Sequence, residues 1–466
     1  MRTNQLLLLG IVFSLFLLIN SAVSADSPSS NKGRITIPGT DGLKIPYYRN
    51  YPLGTPNDNI ERAVIVIQGN NRRPENYYQN MYYAAQKAGA LSNTIILAPH
   101  FMNPEDNPRD DEIYWDYSNG WKQGDRSTRD HSIRVSSFEV MDQILYKLVD
   151  PGKFPNLKSI VIIGHSAGGQ YVQRFACGSQ AEKLINIPIR YVSANPSSYL
   201  YLDRSRVLEG TIDQFAIPHT SCEEYNEYKY GLEDMNSYMQ AVGTDQIREQ
   251  YGLRDVVYLL GSLDDDQASD DLDTTCSAAL QGDNRRERGL IYYNYLRYYY
   301  GSHRHMCVVV DGVGHDSYGM FNSPECIDVV FDWEPNTDRS SDPPACGRPD
   351  IQIVTQAVDS DTNRVYYSYN SAEQQVFQIK VLVTGPDKFD VRSVHYELHP
   401  TFSPPEYTSR DSYNDFELEL WTWGAFDMPI TVTMKDGRTY EYDYYFTFGD
   451  QLRDAQRRGV PFVQVR

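Results

Sequence analysis

Ser166 stands between two glycines in Gly164-His165-Ser166-Ala167-Gly168, after the β-branched run Ile160-Val161-Ile162-Ile163 and before a segment of helical character that reaches Arg174. The spacing predicts strand, tight turn and helix. A serine at the tip of so sharp a bend has a strained backbone, so glycines are needed where a Cβ would collide. Its hydroxyl then stands clear of the sheet. The NH of Ala167, at the start of the helix, is left free to bind a developing oxyanion. The pentapeptide alone recurs by chance, and the competing reading is a glycine-rich turn with a bystander serine; the strand before it and the helix after it favour the nucleophile.

A serine hydroxyl is a poor nucleophile unless an imidazole takes its proton, and the imidazole needs a carboxylate to fix its tautomer. Asp264 closes Gly261-Ser262-Leu263-Asp264 after one apolar run, and His315 lies in Gly312-Val313-Gly314-His315-Asp316 after the last one. Competitors for the acid are Asp265 and Asp266. For the base they are His165, which projects off the turn, His303 and His305. The carboxylate-dense run from Asp264 to Asp273 lacks the glycine and terminal glutamate of an EF-hand and reads as a solvated acidic loop, so no metal site is expected. A second oxyanion donor is sought after the run Ala63-Val64-Ile65-Val66-Ile67, where Asn70 follows Gly69. As a bare turn, Gly-Asn-Asn would carry no role.

The elements that must position these groups alternate. An opening hairpin is expected within residues 33–62, strands over 63–67, 94–98, 159–164, 189–193, 255–260 and 305–310, and helices over 75–89, 135–148 and 285–300. Residues 101–130 form a long irregular stretch with Tyr114-Trp115 and Gly120-Trp121, either a wall of the substrate site or a surface loop with two aromatic plugs. Residues 205–254 read as an insertion or cap rich in Tyr and Glu. Alternating strands and helices mean right-handed βαβ units and an α/β fold, a mostly parallel sheet flanked by helices.

Gln68-Gly69-Asn70-Asn71-Arg72, Gly120-Trp121-Lys122, Ser136-Ser137-Phe138-Glu139, the serine turn and Gly312-Val313-Gly314-His315-Asp316 together resemble the α/β-hydrolase superfamily, more narrowly its exported or bacterial members of unassigned substrate. The resemblance covers about residues 40–330. It implies an eight-stranded sheet, a triad in the chain order Ser166, Asp264, His315, and cleavage of an ester or amide through an acyl-enzyme without a cofactor. Gln68 departs from the His that many relatives carry there, which touches local geometry only, since the donor is backbone.

Residues 335–348 have the composition of a linker, and beyond them the hydrophobic period changes to two. Strand-like runs separated by turns over residues 349–450 predict an all-β, Ig-like sandwich, with residues 451–466 as a C-terminal tail. Val391-Arg392-Ser393-Val394-His395-Tyr396-Glu397-Leu398-His399-Pro400-Thr401-Phe402 and Trp423-Gly424-Ala425-Phe426 resemble the prokaryotic branch of the YEATS fold. That likeness implies that Phe402 and Trp423 sandwich a flat acyl group, with His399 and Thr401 as the polar edge. In the alternative, these are core or rim residues of a spacer.

Arg2, an apolar stretch from Leu6 to Leu18 and Ala22-Val23-Ser24-Ala25 read as a signal peptide over residues 1–25, giving a catalytic domain over 26–334 and a secreted protein with no stable membrane span after cleavage. Six cysteines favour disulfides in that compartment, with Cys326 and Cys346 a plausible local pair. A net charge of -19 over 466 residues, without a basic run, argues against nucleic acid as a partner. The expected partners are a small-molecule or polymeric ester or amide and an acylated ligand on the sandwich. A non-catalytic binding protein and a peptidase on the same scaffold are the alternatives.

Overall fold

The computed structural model describes residues 31–117, 120–333, 349, 351–385, 388, 391–434 and 439–465. The expected signal peptide and linker lie outside them. The chain divides into two compact units, Met1–Asp338 and Arg339–Arg466.

In the first unit β1 (Lys32–Thr36) and β2 (Lys44–Arg49) form the opening hairpin, with Ile35 opposite Ile45. There follow β3 (Arg62–Ile67), α1 (Pro74–Lys87), β4 (Thr94–Pro99), α2 (Ser137–Leu148), β5 (Ser159–His165), α3 (Ala167–Gly178) and β6 (Ile189–Ala194). The insertion carries a short ribbon of β7 (Arg206–Val207) and β8 (Phe215–Ala216), then α4 (Ser237–Val242) and α5 (Thr244–Leu253). The unit ends with β9 (Asp255–Gly261), α6 (Cys276–Ala279), α7 (Arg285–Tyr300), β10 (Met306–Val310), α8 (Ser317–Phe321) and α9 (Pro324–Phe331).

Eight strands make one sheet in the order β1-β2-β4-β3-β5-β6-β9-β10. β2 runs antiparallel to β1 and β4, and from β4 onward every pair is parallel. This is the α/β architecture expected from the alternation. β4, β5 and β6 are buried along their whole length, as strands covered by helices on both faces must be. On one face Val64, Val66, Val161, Ile163, Val257 and Leu259 pack with Tyr78, Met81 and Ala84 of α1 and with Phe321 and Val330. α1 opens with Pro74 at its first turn, and α2 opens with a capping box in which Ser136 and Glu139 satisfy each other's backbone NH groups.

α7 owes its tyrosines to burial rather than to solvent. Tyr292 stacks on Tyr199 with ring centroids 4.4 Å apart, and Tyr295 donates to Asp203 at 3.1 Å. His305 is held in the same region, 2.9 Å from the Tyr258 hydroxyl.

The cysteines require a correction. Cys222 pairs with Cys276, tying the insertion to α6, and Cys307 is also disulfide-bonded. Cys326 is a free thiol, as is Cys177, so the expected Cys326–Cys346 bridge is not formed. The reason is local: Cys326 lies on the face of α9 that packs into the core, where burial pushes its thiol pKa up. No helix of the described residues is long and apolar enough to cross a membrane.

The second unit is all-β apart from one helix. Its strands are β11 (Gln352–Gln356), β12 (Val365–Tyr369), β13 (Gln375–Thr384), β14 (Val391–Glu397), β15 (Glu406–Ser409), β16 (Leu418–Thr422), β17 (Phe426–Met434) and β18 (Thr439–Phe446). β15-β14-β17-β18 form an antiparallel sheet; β13 pairs with β11, β12 and β16 in the other. Alternate residues such as Ile379, Val381, Leu418, Leu420, Met428, Ile430 and Val432 fill a shared core. Residues 451–466 differ from the tail expected of them. They continue α10 (Gly449–Arg457) into β19 (Phe462–Gln464), which pairs in parallel with β12. The Gln451 side chain accepts from Ala357 NH and donates to the Thr355 carbonyl, while Ala455 packs on Val365 and Val460. An apolar stripe on a short helix is what folds this segment back.

Asp142 of α2 supplies a pH-dependent test of the first unit. Burial pushes its pKa from 3.8 up to about 7, against hydrogen bonds from Tyr238 and Ser179 that favour the charged form. A carboxyl whose folded pKa is raised binds more protons in the folded state between those values. Stability through this group therefore falls with rising pH, by up to ~1.4 kcal/mol per pH unit. Asp142→Asn is expected to gain stability relative to the parent at pH 8 over what it shows at pH 5. Urea melts at the two pH values check this, and an equal difference at both would refute it.

Candidate active site

The serine turn is built by backbone contact. Ser166 has φ 60 and ψ -121, a conformation that L residues rarely adopt. It is fixed by its NH donating to the Ala194 carbonyl at 2.9 Å and by its carbonyl accepting from Gln170 NH at 3.1 Å. A Cβ on Gly164 would lie 2.4 Å from the Gly168 carbonyl group, and one on Gly168 would lie 2.4 Å from the Ile67 oxygen. α3 therefore starts in contact with the ends of β3 and β5, and only glycine permits it.

The structure brings three of the expected residues into one hydrogen-bonded chain. Ser166 Oγ lies 3.0 Å from His315 Nε2, and His315 Nδ1 lies 2.7 Å from Asp264 Oδ2. Asp264 is 2% exposed. Its competitors Asp265 and Asp266 are exposed. His305 is occupied by Tyr258 and the Tyr251 carbonyl. His165 packs its ring 4.6 Å from that of His315, and burial, then the neighbouring His315 and Arg285, hold its pKa well below the usual histidine value. It is a neutral wall beneath His315.

Ala167 and Asn70 both line the cavity of about 300 Å³ that Ser166 faces. Asn70 is held through its neighbours. Gln68 is buried and donates to the Phe101 carbonyl at 2.6 Å. Arg72 donates to the Asn70 carbonyl at 3.2 Å while ion-paired with Glu105 and Asp106 at 2.7 Å each. The stretch 101–130 carries the two expected aromatic plugs and also reaches the cavity. Trp115 and Trp121 are buried plugs around Phe101, whose ring lies parallel to Trp121 at 5.7 Å, and the next residue, Lys122, lines the cavity.

Three supporting residues were not found from sequence. Arg285, the first residue of α7, is fully buried, with Nη1 3.5 Å from Asp264 Oδ1 and 3.0 Å from Ser269 Oγ. Asn195, just past β6, accepts from Gly261 NH at 2.8 Å and donates to the Gly314 carbonyl at 3.3 Å, bracing both loops that carry Asp264 and His315. Arg72 is the third. An Asn directly after a strand, in Ala194-Asn195-Pro196, was the available signal for Asn195; a buried arginine gives none.

In the second unit His399, Thr401, Phe402 and Trp423 line one cavity of about 340 Å³, together with Phe426 of the quoted motif and Trp421, which sequence reasoning left out. Phe402 packs on Phe426 at 5.6 Å, the His399 ring accepts from or donates to Thr401 Oγ1 at 2.9 Å, and Trp423 is 62% exposed.

Because a Cβ at residue 168 meets backbone rather than a side-chain end, Gly168→Ala forces α3 away from β3. A loss of roughly 1–3 kcal/mol is expected from such overpacking. Thermal unfolding checks it, and an unchanged melting temperature would show that the contact can relax.

A search of curated proteins finds no sequence match. Among solved structures the chain is similar to poly(aspartic acid) hydrolase-1 from Sphingomonas sp. KT-1, at 20% identity over 64% of this chain and 98% of that one, TM-score 0.44. It is also similar to the poly(3-hydroxybutyrate) depolymerase LpqC from Bordetella parapertussis, at 19% identity over 66% of this chain and 91% of that one, TM-score 0.45. The Yaf9 YEATS domain covers 22% of this chain and 75% of its own at 20% identity, TM-score 0.18. Residues 377–447 match the prokaryotic YEATS domain model. Near its C-terminus the chain thus carries a segment that matches the prokaryotic YEATS domain model.

Proposed function

We propose that this protein is an exported serine hydrolase that cleaves an ester or amide, with the YEATS domain as an accessory site for an acylated ligand. The reading is carried by one observation, the hydrogen-bonded chain from Ser166 through His315 to Asp264. Ser166 Oγ attacks the carbonyl carbon while His315 Nε2 takes its proton. Asp264 accepts from His315 Nδ1, fixing the tautomer and stabilising the imidazolium. The NH groups of Ala167 and Asn70 hold the oxyanion. Collapse of the tetrahedral intermediate expels the alcohol or amine, which takes the proton back from His315. Water, deprotonated by the same imidazole, then releases the acid and restores Ser166. No cofactor enters. Export over a signal peptide at residues 1–25 agrees with the Cys222–Cys276 disulfide.

A fluorophosphonate is expected to label the protein at Ser166, and Ser166→Ala and His315→Ala are expected to lose about three or more orders of magnitude in hydrolysis of 4-nitrophenyl esters. Comparable turnover by a clean Ser166→Ala preparation would remove the assignment. For the second site, Trp423→Ala is expected to weaken binding of an acyl-lysine peptide severalfold, the contribution of one ring stacked on the acyl group. Calorimetry of both proteins reads this, and a parent that binds no acylated peptide would end the accessory role.

A further inference from the structure

The cavity beside Ser166 is lined by an ammonium group that has no ion-pair partner among the described residues. Lys122 is 8% exposed, in a single 3₁₀ turn between the buried Trp121 and Gly124. Its own carbonyl accepts from Arg174 Nη1 at 3.3 Å, which fixes the turn. Within the described residues no carboxylate comes within ion-pair distance of Lys122 Nζ. Its neighbour Lys229 differs, since Nζ lies 3.2 Å from Asp273 Oδ2, and that carboxylate also accepts from Tyr230 at 2.9 Å.

The charged groups of the cavity differ in burial and pairing. Lys122 and Lys229 line it with Asp270, Asp271 and Asp273, while Arg174 is fully buried outside the lining, and the side chains bonded to it are the neutral Gln170 and Ser198. Asp273 is the carboxylate paired with Lys229, which, with hydrogen bonds from Thr275 and Tyr230, holds its pKa well below the usual range against the effect of burial. Asp270 and Asp271 line the cavity too, yet both are exposed, so solvent weakens their effect. Burial, then Lys229 and Arg174, push the Lys122 pKa down to about 8 against the opposing pull of Asp273 and Asp271. A buried charge without a partner is costly, and an arriving anion relieves that cost.

We propose that Lys122 is the recognition residue for a carboxylate on the substrate, so that the ester or amide cleaved here carries a negative charge within a few bonds of the scissile carbonyl. This rests on the hydrolase reading and names its substrate class. Lys122 is a specificity residue and takes no part in proton transfer.

Two pairs of esters test it with the full-length mature protein. Mono-4-nitrophenyl succinate beside 4-nitrophenyl butyrate replaces a methyl by a carboxylate on the acyl side. 4-Carboxyphenyl acetate beside 4-carbamoylphenyl acetate places the charge on the leaving group. The charged member of at least one pair is expected to be favoured about tenfold or more in kcat/KM, as for one charge-assisted hydrogen bond. In Lys122→Met that ratio is expected to collapse toward unity, and in Lys122→Arg to survive in part. Ratios near unity for both pairs in the wild type overturn the inference without any variant, so a variant that fails to fold does not protect it. A preference that persists in Lys122→Met overturns it as well. In both of those cases fluorophosphonate labelling and ester turnover continue, which separates them from failure of the hydrolase reading, where both are absent and the inference falls too.

Discussion

The close approach of α3 to β3 and β5 is the constraint on which the first unit depends. With Gly164 and Gly168 in backbone contact with their neighbours, the helix can begin immediately after β5, and Ser166 is left at the apex with φ 60. Such a conformation costs about 1–3 kcal/mol. The hydrogen bonds of Ser166 to Ala194 and Gln170 offset part of it, and the buried parallel strands on either side supply the rigidity. A looser helix would relax the serine and withdraw the NH of Ala167 from the cavity.

Around that apex, long polar side chains fix the loops that backbone pairing alone leaves free. Arg72 ties the peptide of Asn70, Arg285 braces Asp264, and Asn195 joins Gly261 to Gly314. Arginine suits the task because its planar fork offers five donors at fixed angles and cannot lose its proton. Arg174 extends the scheme to the specificity wall, where it holds the carbonyl of Lys122 and lies 3.4 Å from that of Lys229. The proposed chemistry and the proposed selectivity thus share one scaffold of buried cations.

The strands of the first unit were legible because β-branched runs at parallel-sheet spacing have few other uses, and Asp264 and His315 because each follows such a run within a few residues. α7 was found at its full length of 285–300, although the sequence did not tell that Tyr292, Tyr293 and Tyr295 face inward. What stayed hidden depends on contacts between distant segments. Lys122 could be quoted from the motif Gly120-Trp121-Lys122, yet its burial follows from Trp121 stacking on Phe101, twenty residues away. Cys326 looked like half of a local bridge until the helix face it occupies was known. In the sandwich, alternation located the strands, while β19 was missed because a three-residue strand after a helix leaves no periodic signature.

Charge at two length scales ties the molecule to a narrow class of ligands. A formal charge of -19 repels anions at a distance and weakens their encounter, most of all for polyanions that must lie along the surface. Within the cavity one cation stands apart, because among the described residues Lys122 is buried with no carboxylate within ion-pair distance. A small substrate with one carboxylate pays little for crossing the outer field and gains the inner contact; an extended polyanion meets the repulsion along its full length. The second cavity uses no such charge. Trp421, Trp423 and Phe426 offer ring faces, and His399 and Thr401 a polar edge, which suits a flat amide. The two proposed sites would therefore select by different physics, one by a single desolvated ion and the other by stacking.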